Sequence, residues 1–173
     1  MITLIDVYQG RADVERYLYV LMAERLEEGD ANISHVKMPT MDEHEDFIRR
    51  HVYRAWYVIA HPVTGEMLGA ASITPNNELG IVISPKHRHS GHAREALIAL
   101  MAAHPPLPGL PSQRSAHYVA NIRPGNAASI ALFQSLGFNL LQHTYIKQGE
   151  GNARTVEETA EGIQTENRAA AGP

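Results

Sequence analysis

The chain has 173 residues, a length that suits one domain with a sizeable core, and its 44% hydrophobic and 20% charged content is ordinary for a soluble globular protein. Having no cysteine, it has no disulfide, thiolate metal site or cysteine nucleophile, and its net charge of -4 argues against a protein whose main task is gripping nucleic-acid phosphates. No apolar run approaches the ~20 residues that span a bilayer, and the opening Met1-Ile2-Thr3-Leu4-Ile5-Asp6 lacks both a basic stretch and a cleavable apolar segment, so a cytoplasmic protein is expected.

Alternation from Ile2 to Tyr8 predicts a first strand, ended by Gly10. Val14, Leu18, Leu21, Met22 and Leu26 recur at helical spacing across 12–28, with Gly29 as a stop, and Tyr17 and Tyr19 read as packing residues. Residues 31–38 lack a period and read as loop. Thr40-Met41-Asp42-Glu43 then matches a capping box, which predicts a second helix to about Arg50 that buries Phe47 and Ile48. The β-prone run Arg54 to His61 turns through Pro62-Val63-Thr64-Gly65-Glu66 into Met67 to Thr74, a hairpin. A turn at Pro75-Asn76-Asn77 leads to a strand from Glu78 to Ser84.

The stretch that follows carries the chemistry. Pro85 cannot donate to a ladder, and residues 92–103 read as helix with Leu97 and Leu100 inward, so strand, turn and helix fall in that order. Residues 86–94 hold Lys86, Arg88, Arg94, His87, His89 and His92 and no acid. A turn emptying into a helix leaves N–H groups unpaired at the positive end of the helix dipole, and Gly91 lets that backbone approach an anion closely. After a loop with four prolines at 104–111, His117 to Ile122 is expected to form a strand, Asn126 to Leu136 a helix stopped by Gly137, and Phe138 to Lys147 a last strand. From Gln148 onward the chain is polar and small, the composition of a flexible tail. The expected division is therefore a domain over 1–147 and a tail over 148–173.

Arg88-His89-Ser90-Gly91-His92-Ala93 fits the pattern Arg/Gln-x-x-Gly-x-Gly/Ala, and with it the chain resembles the GNAT superfamily of acyl-CoA-dependent N-acyltransferases. A second stretch, Asn126-Ala127-Ala128-Ser129-Ile130-Ala131-Leu132-Phe133-Gln134-Ser135-Leu136-Gly137-Phe138, is close to that family's asparagine helix. The order strand, helix, helix, three meandering strands, helix, strand, helix, strand is also the family's, although its usual final strand has no counterpart here. The resemblance implies an α/β protein of α+β type: a GNAT fold with a mixed, mostly antiparallel sheet flanked by about four helices.

It further implies an acetyltransferase that moves an acetyl group from acetyl-CoA to a primary amine by direct attack in a ternary complex. The turn Arg88, His89, Ser90, Gly91, His92, Ala93 and Arg94 would take the pyrophosphate. The backbone of Ile81, Val82 and Ile83 would run along the pantetheine arm, with one N–H as oxyanion donor. Asn126 would serve the pantetheine as well as cap its helix, and Phe133 would pack on the pantetheine or in the core. Phe133 departs from the family, which commonly has a tyrosine there to protonate the thiolate; Tyr118, Tyr145, His117 and His143 are alternative donors that read more simply as strand residues.

Glu78 is a lone carboxylate at the start of the strand, on the face of Gly80 and Val82, and reads either as the base and acceptor-binding group or as an exposed acid at a strand end. Asn121 is a second acceptor-side candidate, beside a plain structural reading. The spacing His87, His89, His92 fits no helical zinc pair, so no metal is expected. The acidic bias of residues 11–52 leans toward a cationic small-molecule amine, with a protein amino group as alternative and nucleic acid disfavoured. A non-catalytic acyl-CoA-binding module is the rival that Phe133 raises. Either a monomer or a homodimer is compatible with the sequence.

Overall fold

A computed structural model of the chain describes residues 1–27 and 37–145. Four strands, β1 (Thr3–Asp6), β2 (Ala55–Ala60), β3 (Met67–Ile73) and β4 (Leu79–Ile83), form one sheet in the order β1-β2-β3-β4, every pair antiparallel. Four helices accompany them among the described residues: α1 (Ala12–Glu27), α2 (Met41–Arg49), α3 (His92–Ala103) and α4 (Ala127–Ser135). The chain divides into two compact units, Met1–Asn139 and Leu140–Pro173. Of the second, residues 140–145 are described and hold no helix or strand.

Strand alternation sends the two sets of side chains to opposite faces of the sheet, and each face has its own core. On one side Val58 and Ala70 meet Val14, Leu18 and Leu21 of α1 and Ile48 of α2. On the other, Ile59, Ala71, Ile73, Leu79 and Ile83 meet Ala96, Leu97 and Leu100 of α3 and Phe133 of α4. Leu97 and Leu100 are fully buried, and each contributes about 1.5–3 kcal/mol by leaving water. Helix α2 begins as its sequence dictates, with Glu43 N donating to the Thr40 hydroxyl while the Glu43 carboxylate accepts from Thr40 N at 2.8 Å.

Two expected strands are not formed. Between 117 and 122 a single parallel bridge, Glu78 to Val119, replaces the ladder. The segment has the right β-prone residues, yet Tyr118 turns its hydroxyl to the carbonyls of Met101 and His104 at the end of α3, 2.8 and 3.0 Å away. That tether draws the segment toward the helix. Residues 138–145 also carry no strand; Ile146 and Lys147, the end of that expected strand, lie outside the described residues.

The turn before β4 is held by a residue that reads in sequence as turn punctuation only. Asn77 is fully buried with φ 63°. Its Nδ2 donates to the carbonyls of Leu107 and Ser115 at 2.9 and 2.8 Å, and its Oδ1 accepts from Leu107 N at 2.8 Å and from Arg54 at 3.3 Å. The proline-rich loop is thereby fastened to the start of β4. Asn77→Ala strands these groups and places alanine in the left-handed region, so it should cost about 3–5 kcal/mol in urea denaturation; a loss below about 1 kcal/mol would show that the loop holds itself.

Candidate functional site

Strand β4 is paired along its length on one edge and at one point on the other. Ladder parity follows from the bonds at its ends: Thr74 N donates to Glu78 O and Ser84 N to Leu68 O, so even-numbered residues turn their N–H and C=O toward β3. Odd-numbered residues therefore face the outer edge. There Leu79 N donates to Val119 O at 2.8 Å and Val119 N to Asn77 O at 3.0 Å, after which the two segments part. Beyond that point, among the described residues, the Ile81 N–H and C=O and the Ile83 N–H have no backbone partner on this edge. The Ile83 carbonyl accepts from Nε of Arg88 at 3.2 Å, which ties the end of the strand to the turn that follows.

That turn runs through a short 3-10 segment, Pro85–His87, then His89 with φ 60° and Gly91 with φ 78° before α3 begins at His92. Gly91 is the N-cap of α3 and offers no side-chain cap, and the first bond into the helix is Glu95 N to Gly91 O at 3.1 Å. None of the N–H groups from His89 to Arg94 has a hydrogen-bond partner among the described residues. A Cβ on Gly91 would meet nothing within 4 Å, so the space beside this exposed residue is open. These are the properties of an anion site: uncapped donors, the positive end of a twelve-residue helix, and backbone within reach. Lys86 and His87 lie 3.6 and 3.2 Å from Glu66 of the β2–β3 hairpin, which balances part of the local positive charge.

At the other end of β4, Glu78 forms the bridge itself and is half-buried. It shares the face of Gly80 and Val82, the α1/α2 side. In register across the sheet, Gly80 faces Ser72 and Ser72 faces Trp56. Gly80 has a close-approach reason to lack a side chain, since a Cβ there would stand 2.6 Å from the Ser72 hydroxyl. Trp56 in turn meets Tyr53 and Phe47 edge-on, at centroid separations of 5.0 and 6.0 Å, and Phe47 meets Tyr53 at 5.9 Å. Burial pushes the Tyr53 phenol above its ordinary range; the Arg25 guanidinium works against that rise and the Glu78 carboxylate adds to it. Tyr8 fixes the Tyr53 backbone from both sides, donating to its carbonyl at 3.2 Å and accepting from its N–H at 3.1 Å.

The remaining candidates scatter. Asn126 caps α4, its Oδ1 accepting from Ser129 N at 3.0 Å. Phe133 is 4% exposed and sits in the core, edge-on to Phe138 at 5.1 Å. Asn121 is exposed, on the segment that does not pair. The Tyr118 hydroxyl is committed to the end of α3, and His117 is exposed. His143 and Tyr145 belong to the second unit. Among the described residues no group of three or more His, Asp or Glu stands close enough to hold a metal ion, and no helix is long and apolar enough to cross a membrane. The aromatic group of Phe47, Tyr53 and Trp56 was not evident from the sequence, because its members come from a helix, a bend and a strand.

The sequence matches the acetyltransferase (GNAT) domain family over residues 5–139. Among solved structures it is similar to a ribosomal-protein-alanine N-acetyltransferase from Brucella melitensis, with 21% identity, a TM-score of 0.63 and coverage of 88% of this chain and 93% of that one. A spermidine N-acetyltransferase from Vibrio cholerae, solved with CoA and spermine, aligns at 15% identity and a TM-score of 0.64 over 86% of this chain and 88% of the other. A putative GNAT-family acetyltransferase from Bordetella pertussis aligns at 23% identity and a TM-score of 0.58, covering 85% and 93%. Among curated protein sequences none matches the chain. The chain belongs to the GNAT acetyltransferases, acetyl-CoA-dependent N-acyltransferases, as its two motifs imply.

Gly91→Glu tests the turn directly. The new side chain enters open space, at a left-handed strain of about 1–2 kcal/mol, and puts a carboxylate beside the uncapped donors. Calorimetry should show a folded protein whose acetyl-CoA affinity has fallen more than about a hundredfold, equivalent to roughly 2.8 kcal/mol; unchanged affinity would remove the turn from the cofactor site.

Proposed function

We propose that the protein acetylates a primary amine of a small molecule by direct attack in a ternary complex, along the open edge of β4. The observation that carries this reading is the join between the two ends of that strand: an uncapped anion turn at one end and a half-buried carboxylate at the point where the edge opens.

Acetyl-CoA supplies an activated acyl carbon and a thiolate leaving group; the amine nitrogen bonds to that carbon as the carbon–sulfur bond breaks, and of the two protons lost by the ammonium one reaches the thiolate and one the solvent. The N–H groups of His89 to Arg94 bind the pyrophosphate, with Arg88 and Arg94 adding charge at its edge. The backbone of Ile81 to Ile83 receives the pantetheine arm as an added strand, and the Ile81 N–H, directed outward and unpartnered, is the oxyanion donor. Asn126 keeps its cap and turns its Nδ2 to the arm. Glu78 takes the proton from the ammonium, directly or through one water, and draws a cationic acceptor to its place. No residue replaces the family's tyrosine: Phe133 has no proton to give, and the thiolate, whose acid has a pKa of about 8.5, leaves near neutral pH without one.

The acceptor-side charge supports a cationic amine, since Glu78 stands on the same face as α1 and α2 and the described part of residues 11–52 is rich in acids. A thiol-release assay across a panel of small primary amines tests the reading. Wild-type protein should release CoA only with an acceptor present. Glu78→Gln should lower kcat/KM for the amine by about 10²–10⁴-fold, the usual scale of a lost general base, while acetyl-CoA affinity holds. An unchanged rate would take the proton-accepting role from Glu78, and CoA binding with no thiol release on any amine would point to a binding module instead.

A further inference from the structure

Arg54, Tyr57 and His104 have no part in the transfer chemistry, yet they join several elements of the fold at one place. Tyr57 stands on the α3 side of β2, and its hydroxyl meets Nε2 of His104 at 2.8 Å. His104 closes the C-terminal end of α3, its own N–H donating to Leu100 O at 2.9 Å. Its carbonyl accepts twice, from Arg54 Nη2 at 2.9 Å and from the Tyr118 hydroxyl at 3.0 Å. The same Arg54 nitrogen donates to Pro105 O at 3.0 Å, and Nη1 donates to Asn77 Oδ1 at 3.3 Å. Arg54 and His104 thus tie β2 and the end of α3 to the proline-rich loop, to the turn before β4 and to the segment that carries Val119.

Burial, with the Asp6 carboxylate behind it, keeps the Tyr57 phenol protonated, and among the described residues its hydroxyl has no partner besides His104. In a neutral ring the phenol therefore donates to Nε2, and the ring's own proton sits on Nδ1. A second proton reverses this. Nε2 becomes a donor, the Tyr57 proton has to turn away, and a new positive charge stands near the Arg54 guanidinium that holds the loop. The titratable and charged groups around the ring are Tyr57 of β2, Arg54 just before β2, Asp6 of β1 and Tyr118 of the segment 117–122. Burial, and after it Arg54, press the ring toward its neutral form, against the single carboxylate of Asp6.

The geometry points to a proton-sensitive latch: neutral His104, held by Tyr57 and backed by Arg54, fixes the proline-rich loop and the place where the outer edge of β4 opens, and protonation of the ring releases them. Its first consequence is structural and independent of catalysis. Its second, weaker binding of acetyl-CoA in acid, rests on the reading that this edge receives the donor. A ring that is harder to protonate in the folded protein than in the unfolded chain holds fewer protons when latched. The latch is therefore complete above the ordinary histidine value of 6.5 and weakens as the pH falls below it. Arg54 is a positioning residue, acting through Asn77 and the loop.

The experiment titrates the full-length protein by NMR between about pH 8 and about pH 5. The His104 ring nitrogens should titrate below 6.5. The amides of Leu79 and Val119, which report the bridge, and of Leu107, which reports the loop, should move with the same midpoint. His104→Gln offers Tyr57 a carbonyl acceptor that takes no proton, so in that variant the same amides should hold still. Over this range acetyl-CoA affinity, read by calorimetry, should fall about tenfold more in the wild type than in His104→Gln. The ligand's phosphates and the turn histidines His87, His89 and His92 are common to both proteins, so their titration cancels in the comparison. A His104 ring that titrates while these amides stay still, or amides that move equally in His104→Gln, would overturn the latch. Amides that follow His104 while affinity changes equally in both proteins would support the latch and take the donor from this edge. No arm reads thiol release, so a failure of acyl transfer leaves the result standing, and the wild-type titration decides the latch without any variant.

Discussion

The structure turns on one strand being bonded unequally on its two edges. β4 is secured to β3 from Leu79 to Ile83, while its outer edge is met once, by Val119, and then left open. A backbone edge left open in a folded domain is ordinarily a liability, because its N–H and C=O groups recruit whatever strand comes by. Here the opening is short and ends in a turn with uncapped donors. An extended chain bearing amides and a diphosphate matches both parts at once. The family to which the chain belongs uses such a molecule as its donor.

The opening has to be built, and the residues that build it lie away from the edge itself. Asn77 fastens the proline-rich loop to the turn before β4 through its buried amide, and Tyr118 tethers the next segment to the end of α3. Between them they bring Val119 to β4 and prevent it from following the strand further. Arg88 closes the other end by bonding the Ile83 carbonyl, so strand and turn move as one piece. Gly80 lets the Ser72 hydroxyl pack close against the same strand. The proposed donor edge and the proposed acceptor face both belong to β4, with Glu78 at the point where its outer edge opens.

Most of the architecture was legible because it is written in local patterns. The Thr40 capping box, the hairpin between β2 and β3, the glycine turn and the asparagine cap of α4 each depend on residues within a few positions of one another, and each forms as expected. The segment 117–122 is β-prone yet forms only one bridge, because β-propensity reports a fit to a pleated surface and says nothing about whether a partner strand arrives. Phe133 was readable as a departure from the family motif, while its burial beside Phe138 depends on how α4 meets the sheet. Asn77 looked like any turn residue; its partners, Leu107 and Ser115, are 30 and 38 residues away. The aromatic group of Phe47, Tyr53 and Trp56 was hidden for the same reason. Only the alternation that puts Trp56 and Val58 on one face offered a hint.

Donor binding at the outer edge of β4 is tested residue by residue by amide hydrogen exchange. In the free protein the Ile81 N–H should exchange far faster than that of Val82, which is bonded to β3 although it lies next in sequence. On adding acetyl-CoA the Ile81 amide should become protected while Val82 changes little. An Ile81 amide already protected without ligand, or one that acetyl-CoA leaves unchanged while binding tightly, would contradict the claim that this edge receives the donor.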